Sequence, residues 1–133
     1  MSKRRVVVTG LGLLTPLGHG VDVTWKNILA GKSGAGKITA FDATDYGCQI
    51  ACEVPRVDGR GGGGADIPGS FDPGGTMAPK DQRKVDDFIL YAMAAADEAV
   101  RDAGLTEMDE ETAHRAGVII GSIVGALSGF YGK

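Results

Sequence analysis

VVVTGLGLLTPLG, residues 6–18, carries the reading of the fold. Val6, Val7 and Val8 are contiguous and β-branched, the composition of a strand buried on both faces of a parallel sheet. That strand is predicted from Lys3 to Thr9. Residues 10–20 form a turn region, in which Pro16 stops any immediate helix. Gly10 and Gly12 supply the first two glycines of a dinucleotide-binding fingerprint, but Thr15 stands where the third is needed and Pro16 follows it. No helix can then start where its N-terminus would meet a pyrophosphate. The glycines are read as a structural turn.

Outward from this turn, residues 22–30 read as a short helix. Asp22 or Thr24 is available as its cap, Trp25, Ile28 and Leu29 share one face, and Gly31 ends it in the left-handed conformation. Residues 32–37 are a loop. Residues 48–54 alternate, with Cys48, Ile50, Cys52 and Val54 on one side, as in a half-buried strand. Eight of the 22 glycines fall between Gly59 and Gly75. Residues 56–79 therefore read as a mobile, Gly-rich surface loop, too poor in apolar side chains to pack.

Residues 81–103 give the clearest periodicity: Val85, Phe88, Ile89, Ala92, Ala96, Ala99, Val100 and Ala103 follow a 3.6-residue repeat, and Gly104 supplies a stop. The alanines imply close packing against other backbone. A polar link follows, with Thr106 as a possible cap, and residues 116–120 form a second buried strand that runs into Gly121 and Ser122. The order strand, helix, strand, loop, helix, strand is α/β.

Composition narrows the function classes. A net charge of −3 without a basic stripe gives no reason to expect nucleic acid or an anionic membrane surface. No apolar run is long enough to span a bilayer, and the one after MSKRR is too short and too broken for a secretory signal, so the expected compartment is the cytoplasm. Cys48 and Cys52 read as reduced structural thiols, without the base or helix N-terminus that a nucleophile needs and without zinc-knuckle spacing. His19 and His114 read as solvated surface residues. The stretch GKSGAGKI, residues 31–38, fails as a phosphate loop in either register: Lys26 replaces the first glycine in one, and Ile38 replaces the magnesium-binding hydroxyl in the other. The acidic cluster Glu107, Asp109, Glu110 and Glu111 suits a helix N-terminus or a solvated link. Gly121 and Ser122, at a strand's carboxyl end, form a candidate pocket wall, where small residues let backbone approach a ligand. No metal site is expected.

Five ordered motifs add a resemblance. KRRVVVTGLGLLTPLG, TWKNILAGKSG, Phe41-Asp42, QRKVDDFILYAMAAADEAVRDAGL and RAGVIIGS together resemble β-ketoacyl-acyl-carrier-protein synthases, most of all the type II elongating enzymes of bacterial fatty-acid synthesis. The match omits residues 59–77, which look like an insertion. The resemblance implies the N-terminal part of a thiolase-like α-β-α-β-α layered fold, with residues 1–133 as a partial N-terminal domain. It implies an acyltransferase that elongates acyl chains by decarboxylating Claisen condensation with malonyl carrier protein. It also implies acyl carrier protein as partner, a homodimer for the full-length enzyme, and no cofactor. The family's nucleophilic cysteine and two histidines are placed beyond Lys133, so no catalytic role falls on this chain. Val124 matches the apolar gate of the acyl pocket in the segment Gly121-Ser122-Ile123-Val124-Gly125-Ala126. Ile123 and Ala126 stand where the family has glycine, and the tail SGFYGK departs from the pattern. The chain alone is expected to be inactive. The alternative expectation is a non-catalytic remnant that binds acyl carrier protein or a full-length synthase.

Overall fold

A computed structural model describes residues 4–122. The turn after the valines is a hairpin. β1 (Leu14–Thr15) pairs antiparallel with β2 (Gly18–His19), Leu14 opposite His19, around Pro16 and Leu17. The Thr15 hydroxyl organises this turn, donating to the Gly18 carbonyl at 3.2 Å and accepting from Leu17 N–H at 3.1 Å. Gly18 is buried at φ +132°, and Val23 and Gly69 crowd the space a side chain would need. α1 (Val21–Leu29) follows immediately. Neither Asp22 nor Thr24 caps it. Thr24 is instead buried, and its hydroxyl lies 3.1 Å from that of Thr15. Gly31 takes the left-handed conformation, φ +65°, as expected.

The single helix expected over 81–103 is two. α2 (Pro79–Gln82) ends after one turn, and α3 (Asp87–Asp102) begins after Asp86, whose ψ of 157° resets the backbone to extended. The predicted face of α3 is covered only in part: Ala99 meets the glycine turn, but the most buried residues lie off that face. Leu90 and Ala94 are buried against Phe71, with Leu14, Val54, Met77, Val85 and Tyr91 packed around them. His19 and Tyr91 both meet the Phe71 ring edge-on, with centroids 5.4 and 5.6 Å away. Phe88 and Val100, from the predicted face, stay exposed. α3 is apolar on more than one side, and the described residues cover only part of it.

The alanines do pack against backbone. A Cβ on Gly12 would strike the Ala95 carbonyl and lie 2.7 Å from the Ala99 nitrogen. A Cβ on Gly10 would strike the Ala99 carbonyl and lie 2.6 Å from the Ala103 nitrogen. Gly104 ends the helix at φ +68°. α4 (Glu110–Arg115) is capped by Asp109, not Thr106: its carboxylate accepts from Thr112 N–H at 2.7 Å.

The strands depart most from expectation. Residues 4–9 and 116–120 enter no ladder, and both runs are exposed, with Val6 at 89% and Ile119 at 100%. The valines have strand propensity, but a strand exists only where a second backbone pairs with it, and no described segment does so. The expected strand over 48–54 shrinks to β4 (Ile50–Ala51), which pairs antiparallel with β3 (Gly36–Lys37) inside the expected loop. Both sheets among the described residues are two-stranded and antiparallel.

Residues 56–79 are also corrected on one point: the segment does pack. Phe71 is fully buried, and Arg56 and Pro73 are buried beside it. Arg56 and Phe71 form a parallel bridge, in which Phe71 N–H donates to the Pro55 carbonyl at 2.8 Å and Val57 N–H to the Phe71 carbonyl at 3.0 Å. One phenylalanine placed on α3 is enough, although the stretch as a whole is poor in apolar residues.

Candidate functional site

Two side-chain assemblies tie the rest of the chain to α3. The first rises from α3. Glu98 accepts from Leu13 N–H through Oε2 at 2.8 Å and from Val21 N–H through Oε1 at 2.9 Å. One turn later, Asp102 accepts from Leu11 N–H at 2.9 Å. An α-helix places residues i and i+4 on one side, so two carboxylates spaced that way meet three backbone donors of residues 11–21. Glu98 also does what a cap would do for α1, because Val21 is its first residue. A cleft of about 270 Å³ opens here, lined by Leu11, Val21, Asp22, Glu98, Arg101 and Asp102.

The second assembly is an ion-pair cluster at the start of α3. Arg56 reaches Asp87 at 2.7 Å and lies 3.3 Å from Asp58, while Arg60 reaches Asp58 at 3.1 Å and Asp87 at 2.9 Å. Arg56 Nε, though buried, makes no hydrogen bond, so its contact with Asp58 is charge pairing alone. Partial burial works to raise the Asp58 pKa, but hydrogen bonds from Arg60 and the charges of both arginines outweigh it and hold the carboxyl below its ordinary range. Burial likewise opposes the charge on Arg56, and Tyr91, Asp87 and Asp58 more than restore it. Glu53 is lowered too: slight burial is outweighed by hydrogen bonds from the Thr39 hydroxyl and N–H and from Ala40 N–H, helped by the Arg60 charge. Glu53, Arg56, Arg60 and Asp87 border a second cleft of about 200 Å³ beside Cys52 and Tyr91.

The residues singled out from the sequence are not brought together. Gly121 and Ser122 are exposed at the end of the described residues, and Val124 lies outside them. Cys48 and Cys52 are exposed free thiols, not members of a half-buried strand face. His19 is half-buried against Phe71, correcting its reading as a solvated residue, whereas His114 is exposed on α4, 3.7 Å from Glu110. Lys32, Ser33 and Lys37 are exposed. Among the described residues, no three His, Cys, Asp or Glu side chains converge on a possible metal position, and no helix is long and apolar enough to cross a membrane. Sequence reasoning missed Glu98 and Asp102. Their signal was available as an acidic i, i+4 pair interleaved with alanines on a helix opposite a Gly-x-Gly turn. Arg56 left no comparable signal.

Comparison with known proteins shows what the turn and α3 belong to. The model of the β-ketoacyl synthase N-terminal domain matches residues 3–132. The chain belongs to the β-ketoacyl synthase family, within its N-terminal domain. It is 46% identical over 126 residues to 3-oxoacyl-acyl-carrier-protein synthase 2 of Rhizobium meliloti, covering 95% of this chain and 28% of that protein. The synthase of the same name from Vibrio cholerae is 45% identical over 127 residues, covering 96% of this chain and 27% of the relative. The chain thus spans little more than a quarter of the length of these relatives. Among solved structures, the ishigamide ketosynthase/chain length factor superposes with a TM-score of 0.62 at 39% identity, over 80% of this chain and 23% of that one. The fold class is α/β, of the thiolase-like ketosynthase kind. In this synthase domain, the Gly-x-Gly turn is a packing device: its glycines let the segment lie on α3, and the Glu98 and Asp102 carboxylates fix it there.

Proposed function

We propose that this chain is the N-terminal portion of an elongating 3-oxoacyl-acyl-carrier-protein synthase, an acyltransferase of fatty-acid synthesis in the cytoplasm. The observation that carries this reading is the family match over residues 3–132, with 46% identity to a synthase of that name across nearly the whole chain. In the reaction, an enzyme cysteine takes the acyl group from acyl carrier protein as a thioester. Malonyl carrier protein then loses carbon dioxide, and the resulting carbanion attacks the thioester carbonyl and expels the cysteine thiolate. No cofactor is needed. The partners are acyl carrier protein and, in the full-length enzyme, a second subunit.

The role of this chain in that scheme is architectural. Its thiols sit beside β4, exposed and away from any helix N-terminus, which suits neither as a nucleophile. By its match to the family's motif, Val124 is the apolar gate of the acyl pocket, and Gly121 and Ser122 are its small-residue wall. Residues 56–79 are an insertion anchored by Arg56 and Phe71, and its glycines at 61 and 63 lie close against the backbone of residues 54–56. The β-branched runs at 6–8 and 118–120, unpaired among the described residues, are sheet strands whose neighbours come from the rest of the synthase.

The test is a hybrid enzyme in which residues 3–132 replace the matching segment of the Rhizobium meliloti synthase. Condensing activity should survive in the hybrid, while the chain alone transfers no acyl group. A folded but inactive hybrid, or acylation of Cys48 or Cys52 in the isolated chain, overturns the reading. The exposed apolar runs also favour a second reading, a non-catalytic module that binds acyl carrier protein or a full-length synthase. Binding of the isolated chain to either, with an inactive hybrid, would select it.

A further inference from the structure

We draw no further inference here: the strongest candidate, the cleft of about 200 Å³ beside the start of α3 in which the exposed Cys52 thiol lies near Arg56, Arg60 and Tyr91, rests on a single cysteine, because both arginines are already paired with Asp58 and Asp87 and nothing else among the described residues points to a ligand there.

Discussion

Replacing Glu98 tests whether the glycine turn is held by α3 or merely rests on it. Glu98→Ala removes the acceptor for both Leu13 N–H and Val21 N–H. Hydrogen bonds to a charged acceptor contribute about 1.5–3 kcal/mol each, and a donor left without a partner pays its full desolvation cost only where water cannot reach it. Leu13 and Val21 are both half-buried, so water recovers part of the loss. The expected destabilisation is therefore about 2–4 kcal/mol rather than the sum of two full bonds. Glu98→Gln should cost about half as much, because the amide keeps one accepting oxygen and turns a donor toward the other N–H. The assay is amide hydrogen exchange at Leu13 and Val21, read with the protection of Ala94 in the core as a control for global unfolding. A local loss of about 2 kcal/mol speeds exchange at both amides roughly thirtyfold. Exchange rates in Glu98→Ala within about twofold of wild type, or Gln as damaging as Ala, would show that packing of Gly10 and Gly12 holds the turn without the carboxylate.

Three further outcomes follow from the same contacts. Gly12→Ala should destabilise by about 2 kcal/mol or more, because its Cβ meets backbone of α3 that cannot yield, whereas Gly31→Ala faces open space and should cost only about 1 kcal/mol for its left-handed φ; urea denaturation midpoints compare them. Phe71→Ala removes the centre of a small core and should cost about 3–5 kcal/mol, enough to abolish the cooperative transition of the chain measured by heating. The ion-pair cluster sets an acid limit: the folded-state pKa of Asp58 lies below its ordinary 3.8, so its stabilisation is fully present above that value and is lost as pH falls through the lower folded value. Asp58→Asn should flatten the acid limb of the stability profile, modestly because the carboxylate is partly exposed, and an unchanged limb would remove Asp58 from the account.

What was legible from sequence was what local stereochemistry decides. Gly31 and Gly104 stop their helices because the left-handed conformation they adopt is open to glycine. The alanines of α3 announced a close approach to other backbone, and the glycines read as a structural turn proved to be what they approach. What was not legible depended on a partner distant in sequence. Phe71 sits in a stretch whose composition argues against burial, and only its registry with Arg56 and α3 makes it the centre of the core. The predicted face of α3 was a real apolar stripe, but periodicity cannot say which of its residues the chain itself covers: Ala99 and Ala103 meet the turn, while Phe88 and Val100 stay exposed.

The β-branched runs separate propensity from structure. Residues 6–8 and 118–120 have a composition that favours a strand in any context, yet neither pairs within the described residues. Strand propensity describes how a side chain fits a pleated, half-buried surface, and it contributes little until a second strand creates that surface. The helices differ, because an α-helix closes its backbone bonds within itself. α1 and α3 therefore form in this chain with part of their apolar surface uncovered, while residues 6–8 and 118–120 pair with no strand among the described residues. In a protein spanning little more than a quarter of its relatives, the helices and the carboxylate-held turn are the parts whose structure is complete in themselves.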